Sequence, residues 1–204
     1  MRRRPSARGT VIPFAPGRRA LRTVAQARVE ALRLLAGIGT RSVHVAGVAT
    51  AAELASATVP AEDVELLVAA AWLHDIGYAP SLAVSGFHPL DGARYLRSID
   101  AGERLCRLVA NHTHAWVEAE ARGLAGVLAE EFPREWSSTA DALTYADLTT
   151  GPGGGRVSVE ERLADIYQRY EPGHVVHESI RRAEPDLLRT AGRVAERLAG
   201  ARAE

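Results

Sequence analysis

The stretch AAAWLHDIGYAP, at positions 69–80, places two polar side chains at the end of an apolar run. Burying the imidazole of His74 and the carboxylate of Asp75 beside such residues is costly unless both groups find partners. Neutral imidazole and carboxylate are also the ligands that bind the divalent first-row metals Fe, Mn, Co, Ni and Zn. The pair therefore indicates a metal site at the point where a helix should end.

His44 is expected beside this pair because of the order of the helices. It lies near the start of a helix predicted over residues 41–56, and a short polar link leads into a helix predicted over residues 61–75. Two antiparallel helices of similar length place the first residues of one beside the last residues of the other. His44 and His74 should therefore meet at one end of a helical hairpin.

A second hairpin repeats this arrangement with two more histidines. His88 precedes a helix predicted over residues 89–98, and the link DAGE leads into a helix predicted over residues 101–113 that carries His112. Each arm rises about 15–18 Å, so the two histidines should meet at a shared end. Because only a short loop separates Asp75 from His88, the ends of both hairpins can face one site.

The residues alone leave several arrangements open. Adjacent residues on an ideal helix point about 100° apart, so His74 and Asp75 either share one ion at a frayed helix end, or Asp75 bridges two ions. His88 and His112 either bind a second ion or serve as structural or substrate-contacting residues beside a single ion. His114 points to the opposite helical face if its helix continues, and reaches a substrate only if the helix ends by His112.

The elements that must position these side chains are all helical. Apolar residues recur at the helical period, and Ala, Leu, Arg and Glu dominate, which predicts an all-α chain. The helices are predicted over residues 19–36, 41–56, 61–75, 89–98, 101–113, 116–130, 137–149, 158–170 and 176–199.

The chain divides into three predicted regions. Residues 1–17 form a flexible arm rich in Pro and Arg, and residues 18–150 form the metal-binding domain. Residues 151–204 begin with the helix-breaking run GPGGG and continue into C-terminal helices that pack either on the core or at an oligomer interface. The second alternative allows a homodimer.

The amino-acid composition limits the classes of binding partner that are expected. Hydrophobic residues make up 47% and charged residues 25%, values typical of a soluble globular protein, and the formal net charge is zero. This balance argues against a nucleic-acid polymer or an anionic membrane as the partner. No apolar run is long enough to span a bilayer or to form a secretory signal, so a cytoplasmic location is expected. The single cysteine, Cys106, excludes a cysteine-rich zinc site.

The motif LHDIG, with RSVHVAGVA upstream and ADLTT downstream, resembles the HD superfamily of metal-dependent phosphohydrolases over roughly residues 38–150. The resemblance implies an HD-domain helical bundle with C-terminal accessory helices. It also implies a first metal ion bound by His44, His74, Asp75 and Asp147. Asp147 is favoured over Asp141 on the same helix because ADLTT fits the family pattern better.

The segment HPLDGARYL and the histidine of VANH resemble the branch of the superfamily that holds two metals. In that branch Asp75 would bridge the ions, and His88 and His112 would bind the second one. The segment NHTH departs from the cyclic-di-nucleotide phosphodiesterases of the HD-GYP type, which have two adjacent histidines and a following Gly-Tyr-Pro. That specific activity is therefore not expected.

The resemblance implies hydrolysis of a small phosphorylated or nucleotide substrate with one or two divalent ions, with Asp75 also orienting the attacking nucleophile. Arg41, one turn before His44, and His114 are weaker candidates for substrate contact. The alternative is redox chemistry, since relatives such as myo-inositol oxygenase use a similar ligand order for a mixed-valent di-iron centre that acts on a small polar substrate. A regulatory domain without activity is a third hypothesis, against which the complete ligand set argues.

Overall fold

The computed structural model describes residues 23–201, which form ten α-helices joined by short loops and 3-10 turns. The helices are α1 (Val24–Leu34), α2 (Arg41–Leu54), α3 (Val64–Leu73), α4 (His88–Ser98), α5 (Glu103–Asn111), α6 (Ala115–Ala121), α7 (Ala125–Glu131), α8 (Ser138–Leu148), α9 (Val159–Arg169) and α10 (Val175–Ala201). The predicted all-α fold is confirmed. The arm predicted over residues 1–17 and the start of the helix predicted over 19–36 lie outside the described residues.

Two of the predicted helices were wrong in extent. The helix predicted over 116–130 is two helices, because Gly123 adopts a left-handed φ of 71° after α6. Backbone hydrogen bonds from Gly123 to Glu120 and from Leu124 to Ala119 close this end in a Schellman motif. The helix predicted over 101–113 already ends at Asn111, and a turn follows it.

The third helix is the centre of the bundle. Glu65 in its first turn is exposed, but from Leu67 to Leu73 the helix is apolar on every side, and it packs against α1, α2, α5 and α8. A helix that is apolar all round is stable only when neighbours cover every face. The end of α3, where His74 and Asp75 follow, is therefore surrounded by other helices.

The C-terminal helices pack on the same bundle. A second apolar cluster joins Leu148 of α8, Leu163 of α9 and Ala183 and Leu187 of α10. Pro185 lies inside α10, which continues past it as one helix. No helix within residues 23–201 combines the length and apolar character needed to cross a membrane.

A buried carboxylate ties together the starts of three helices. Asp63, just before α3, accepts two hydrogen bonds from Arg104 of α5, at 2.5 and 2.6 Å. It also accepts one at 2.6 Å from the hydroxyl of Thr139 in α8. The hydrogen bonds from Arg104 and Thr139 hold the pKa of Asp63 below its ordinary value.

We expect Asp63→Asn to lower the free energy of unfolding by about 1–3 kcal/mol at pH 7, because charge-assisted hydrogen bonds are lost. The contribution of Asp63 is fully present above the ordinary carboxyl pKa of about 4. It is lost as the pH falls through the lower folded-state pKa, since the unfolded chain takes up the proton first. Urea unfolding at pH 7 and at acidic pH measures both effects.

The control is Glu103→Gln, which breaks an exposed ion pair with Arg97. We expect this change to cost less than about 1 kcal/mol. Equal losses for the two variants, or a loss in Asp63→Asn that does not shrink in acid, would contradict the role given to Asp63.

Candidate metal centre

The structure brings the six residues predicted as metal ligands to one end of the bundle. Each lies within one turn of a helix end, so the ends of α2, α3, α4, α5 and α8 converge there. They are His44 in the first turn of α2, His74 and Asp75 directly after α3, His88 at the start of α4, His112 directly after α5, and Asp147 near the end of α8.

Asp75 is the point at which the two hairpins meet. Its Oδ1 lies 3.5 Å from Nε2 of His74, 3.4 Å from Nε2 of His88 and 3.9 Å from Nε2 of His112. The Nε2 atoms of His88 and His112 are 3.3 Å apart. On the other side of the site, Nε2 of His44 lies 3.1 Å from Oδ1 of Asp147.

These separations suit ligands that share a metal ion. Ligand atoms about 2.0–2.2 Å from one ion lie roughly 3–4 Å from each other. Within residues 23–201, two groups have ligand atoms all within 4.8 Å of one another: His44, His74 and Asp75, and Asp75, His88 and His112. Asp75 belongs to both groups, as expected of a bridging carboxylate.

Backbone carbonyls orient three of the histidines. In each of them Nδ1 faces a carbonyl oxygen, so that Nδ1 carries the hydrogen and Nε2 presents its lone pair. The acceptors are Ala71 for His74 at 2.8 Å, Val109 for His112 at 2.7 Å, and Gly151 for His44 at 3.1 Å. The first two carbonyls belong to the last turns of α3 and α5, where no helical N–H is available to them.

The protonation states also suit metal binding. His74 is fully buried and its Nε2 has no hydrogen-bond partner. Burial lowers the pKa of His74 and of His88 to about 4, so both rings are neutral at pH 7. Burial opposes ionisation of Asp75, but His74, which is protonated in the acid range where Asp75 would titrate, and Arg41 outweigh it and hold the pKa of Asp75 well below its ordinary value. His74 and His88 therefore offer neutral imidazoles beside a charged carboxylate, as divalent metals require. At His44 burial is outweighed by the hydrogen bond with Asp147, which raises the pKa of this ring.

Glycines allow the elements around the site to approach closely. A Cβ on Gly77, in the HDIG motif, would lie 1.9 Å from the carbonyl oxygen of His88, so only glycine lets the start of α4 reach Asp75. A Cβ on Gly47 of α2 would lie 2.3 Å from the carbonyl oxygen of Gly154. This second contact seats the glycine-rich loop on α2.

Arginines and tyrosines line a pocket of about 100 Å³ together with five of the six candidate metal ligands, all except His74. Arg41 donates to Oδ2 of Asp75 at 2.5 Å, and its guanidinium lies 3.7 Å from the centre of the Tyr78 ring. Tyr78 in turn stacks on His88, with ring centres 3.9 Å apart. Arg162 of α9 is buried, with Nη2 3.6 Å from Oδ1 of Asp147 and an Nε without a partner.

Sequence reasoning missed Arg162, Tyr78 and Thr113. Thr113 donates to Oδ2 of Asp147 at 2.6 Å and so fixes the carboxylate that His44 also contacts. Tyr78 lies only three residues after Asp75 and could have been noticed from its place next to the HDIG motif. Arg162 had no local signal, because only the packing of α9 brings it to the site.

Asp141 and His114, which the sequence analysis also considered, lie outside the metal pocket. Asp141, the competitor of Asp147, accepts hydrogen bonds from Arg193 at 2.9 Å and Arg197 at 3.2 Å of α10. His114 does not line the metal pocket and faces a separate cavity, where burial lowers its pKa to about 4.

We expect Gly77→Ala to reduce both the metal content and the stability of the protein. The new methyl group would collide with the backbone of His88, and relief of such overpacking costs about 1–3 kcal/mol. Elemental analysis and thermal unfolding measure the two effects.

Gly126→Ala is the matched control, since Gly126 lies inside α7 and a Cβ added there would have nothing within 4 Å. It should raise stability by about 0.5–1 kcal/mol and leave the metal content unchanged. A Gly77→Ala protein that matches this control would refute the close-approach argument.

A protein-family model described as HD domain matches residues 41–173, well over half of the chain. The match begins at the first residue of α2 and continues through the glycine-rich loop and α9. No curated protein and no solved structure shows a significant match to the chain.

Proposed function

Because the chain belongs to the HD domain family, we propose that it is a metal-dependent phosphohydrolase that cleaves a small phosphate ester or nucleotide. Members of this family are usually metal-dependent hydrolases, and the His/Asp cluster is compatible with that chemistry. The observation that carries the proposal is that arginines line the same pocket as the candidate metal ligands. They supply the positive charge that a phosphoryl group needs.

The charges in this pocket favour an anionic substrate. Its arginines and carboxylates are Arg41, Arg162 and Arg169, and Asp75, Glu118 and Asp147. Since these charges balance, one or two divalent ions would make the pocket positive, which attracts phosphate. An uncharged polar substrate, which the di-iron oxygenase alternative allows, would gain less from Arg162 than a phosphate does, because hydrogen bonds between two charged groups are stronger.

The proposed mechanism assigns one role to each group. Divalent ions held by the cluster would lower the pKa of a water molecule and neutralise phosphoryl charge. Asp75, with Oδ2 held by Arg41 at 2.5 Å, orients the attacking water through Oδ1. Arg162 donates to a phosphoryl oxygen through Nε, while Nη1 is held by Asp165 at 3.0 Å and Nη2 lies beside Asp147. Such donors stabilise the charge that develops during phosphoryl transfer.

The apolar part of the pocket lining favours a compact substrate. Ile166 and Tyr170 from the end of α9, with Val176 and Ile180 from α10, supply apolar and aromatic surface beside the arginines. A substrate with a phosphate at one end and an apolar or planar portion at the other would match both surfaces. The volume of about 100 Å³ suits a small molecule.

The metal content tests the binuclear form of the site. Protein purified without a His-tag or chelating resin should contain about two equivalents of Mn, Fe, Co, Ni or Zn. His88→Ala and His112→Ala should each reduce this to about one, and Asp75→Ala should remove both. The exposed His174, outside the site, provides the control His174→Ala, which should keep two equivalents.

One equivalent that His88→Ala and His112→Ala leave unchanged would replace the binuclear site with a mononuclear one. Tightly bound iron with consumption of oxygen, and no phosphate release, would favour the oxygenase instead. Absence of any metal would overturn the proposal.

Substitution of Arg162 tests the proposed reaction. Arg162→Gln should lower kcat/KM on phosphate esters by about 10²–10³-fold, the usual effect of losing one donor to a developing oxyanion. Its metal content should stay unchanged, because His44 and Thr113 still hold Asp147. Arg181→Gln, which changes an exposed arginine of α10, is the control and should keep full activity. Activity in Arg162→Gln equal to that of the control would exclude this role.

A further inference from the structure

A second cavity, of about 40 Å³, adjoins the metal pocket. Among residues 23–201, only His112 lines both of them. The segment Asn111–His114 separates the two, and Thr113 and His114 both adopt left-handed backbone angles, with φ of 47° and 56°. As a result Thr113 contacts Asp147 at the metal centre, whereas His114 faces the second cavity.

Asn111, which lines this cavity, carries an unused hydrogen-bond acceptor. Its side-chain NH₂ donates to the carbonyl oxygens of Arg107 at 3.0 Å and Phe132 at 2.9 Å. These two acceptors fix the orientation of the amide. Its Oδ1 is buried and has no partner, although buried polar atoms are nearly always hydrogen-bonded.

His114 presents an unused donor. It is only 8% exposed, and its Nε2 lies 3.4 Å from the hydroxyl oxygen of Thr190. The Thr190 oxygen also accepts a hydrogen bond from Arg193 at 3.1 Å. Within residues 23–201, the acceptor for the hydrogen of the Thr190 hydroxyl is Nε2 of His114. With the Thr190 hydroxyl assigned as the donor to Nε2, the ring hydrogen is assigned to Nδ1, which is buried and has no partner among residues 23–201.

Two tryptophans also line this cavity. Trp116 stacks on His114 with ring centres 4.3 Å apart and an angle of 27°. Trp136 meets the edge of Trp116 at 5.7 Å and is 77% exposed, which is unusual for so large an apolar side chain. The guanidinium of Arg134 lies 4.8 Å from the Trp116 ring and 5.5 Å from the Trp136 ring.

We propose that this cavity is a second ligand site, which binds a planar heterocycle carrying an adjacent hydrogen-bond donor and acceptor, the pattern found on the edge of a nucleobase. Asn111 Oδ1 accepts from the N–H of the ring, and His114 Nδ1 donates to its neighbouring carbonyl or ring nitrogen. The cavity itself has room only for this polar edge, so the rest of the ring lies against Trp116 and Trp136. Stacking on tryptophan tolerates any base.

Uracil is a suitable probe because it has this edge and no phosphate, so its binding does not depend on phosphohydrolase activity. In the full-length Trp72→Phe protein, fluorescence reports on Trp116 and Trp136 alone. Uracil should quench it saturably. 1,3-Dimethyluracil, which lacks the N–H groups, should bind about tenfold or more weakly.

Thr190→Val and Trp136→Ala should weaken uracil binding by about tenfold each, since one removes the hydroxyl that orients His114 and the other removes a stacking surface. Neither residue lines the metal pocket, so phosphatase activity and metal content should stay unchanged in Trp136→Ala. Val29→Ala, an exposed apolar position on α1, is the matched control and should bind like the parent.

Uridine 5′-monophosphate distinguishes a nucleotide from a free base as the ligand of this cavity. Tighter binding than uracil, lost in Arg134→Ala, supports a nucleotide, whereas equal binding supports the free base. A cavity that holds only water would show no saturable quenching up to the solubility limit of uracil. That result, or equal affinity for 1,3-dimethyluracil, or full affinity in both variants, would overturn the proposal.

Discussion

The arrangement of the molecule depends on one buried carboxylate. Asp75 has His74, His88 and His112 within 3.9 Å of one oxygen and Arg41 at 2.5 Å from the other. An isolated carboxylate could not remain charged at this depth, because burial strongly disfavours the ionised form. The helices α2, α3, α4 and α5 must therefore end or begin beside it, and their convergence is what defines the bundle at this end.

Helix ends supply the polar groups that this burial requires. The last turns of α3 and α5 leave carbonyls that accept from His74 and His112, so the same feature that terminates each helix also orients a candidate ligand. Gly77 and Gly47 remove the side chains that would hold neighbouring segments apart. Local backbone chemistry and close packing are thus combined at the site, as expected where ligands must be positioned firmly before a metal binds.

The C-terminal helices complete the site. Arg162 of α9 reaches Asp147, and the apolar cluster of Leu148, Leu163, Ala183 and Leu187 fixes α9 and α10 against α8. The turn after α5 lies between the two cavities, with Thr113 on the metal side and His114 on the other. Two adjacent residues of one turn, both with left-handed backbone angles, therefore line different cavities.

Much of this could be predicted from sequence, because helical period, helix length and short links are local properties. They led to the all-α class and to two hairpins whose ends bring together His44, His74, Asp75, His88 and His112. Asp147 required resemblance to a family, since spacing could not separate it from Asp141.

Long-range packing determined the rest. The end of α5 at Asn111, the cavity in which His114 lies, and the entry of Arg162 into the metal pocket all depend on where α8, α9 and α10 dock. Those contacts join residues far apart in the chain, and no local pattern encodes them. The sequence alone therefore specified which side chains could bind a metal, and the packed bundle specified which surfaces a substrate or a second ligand would meet.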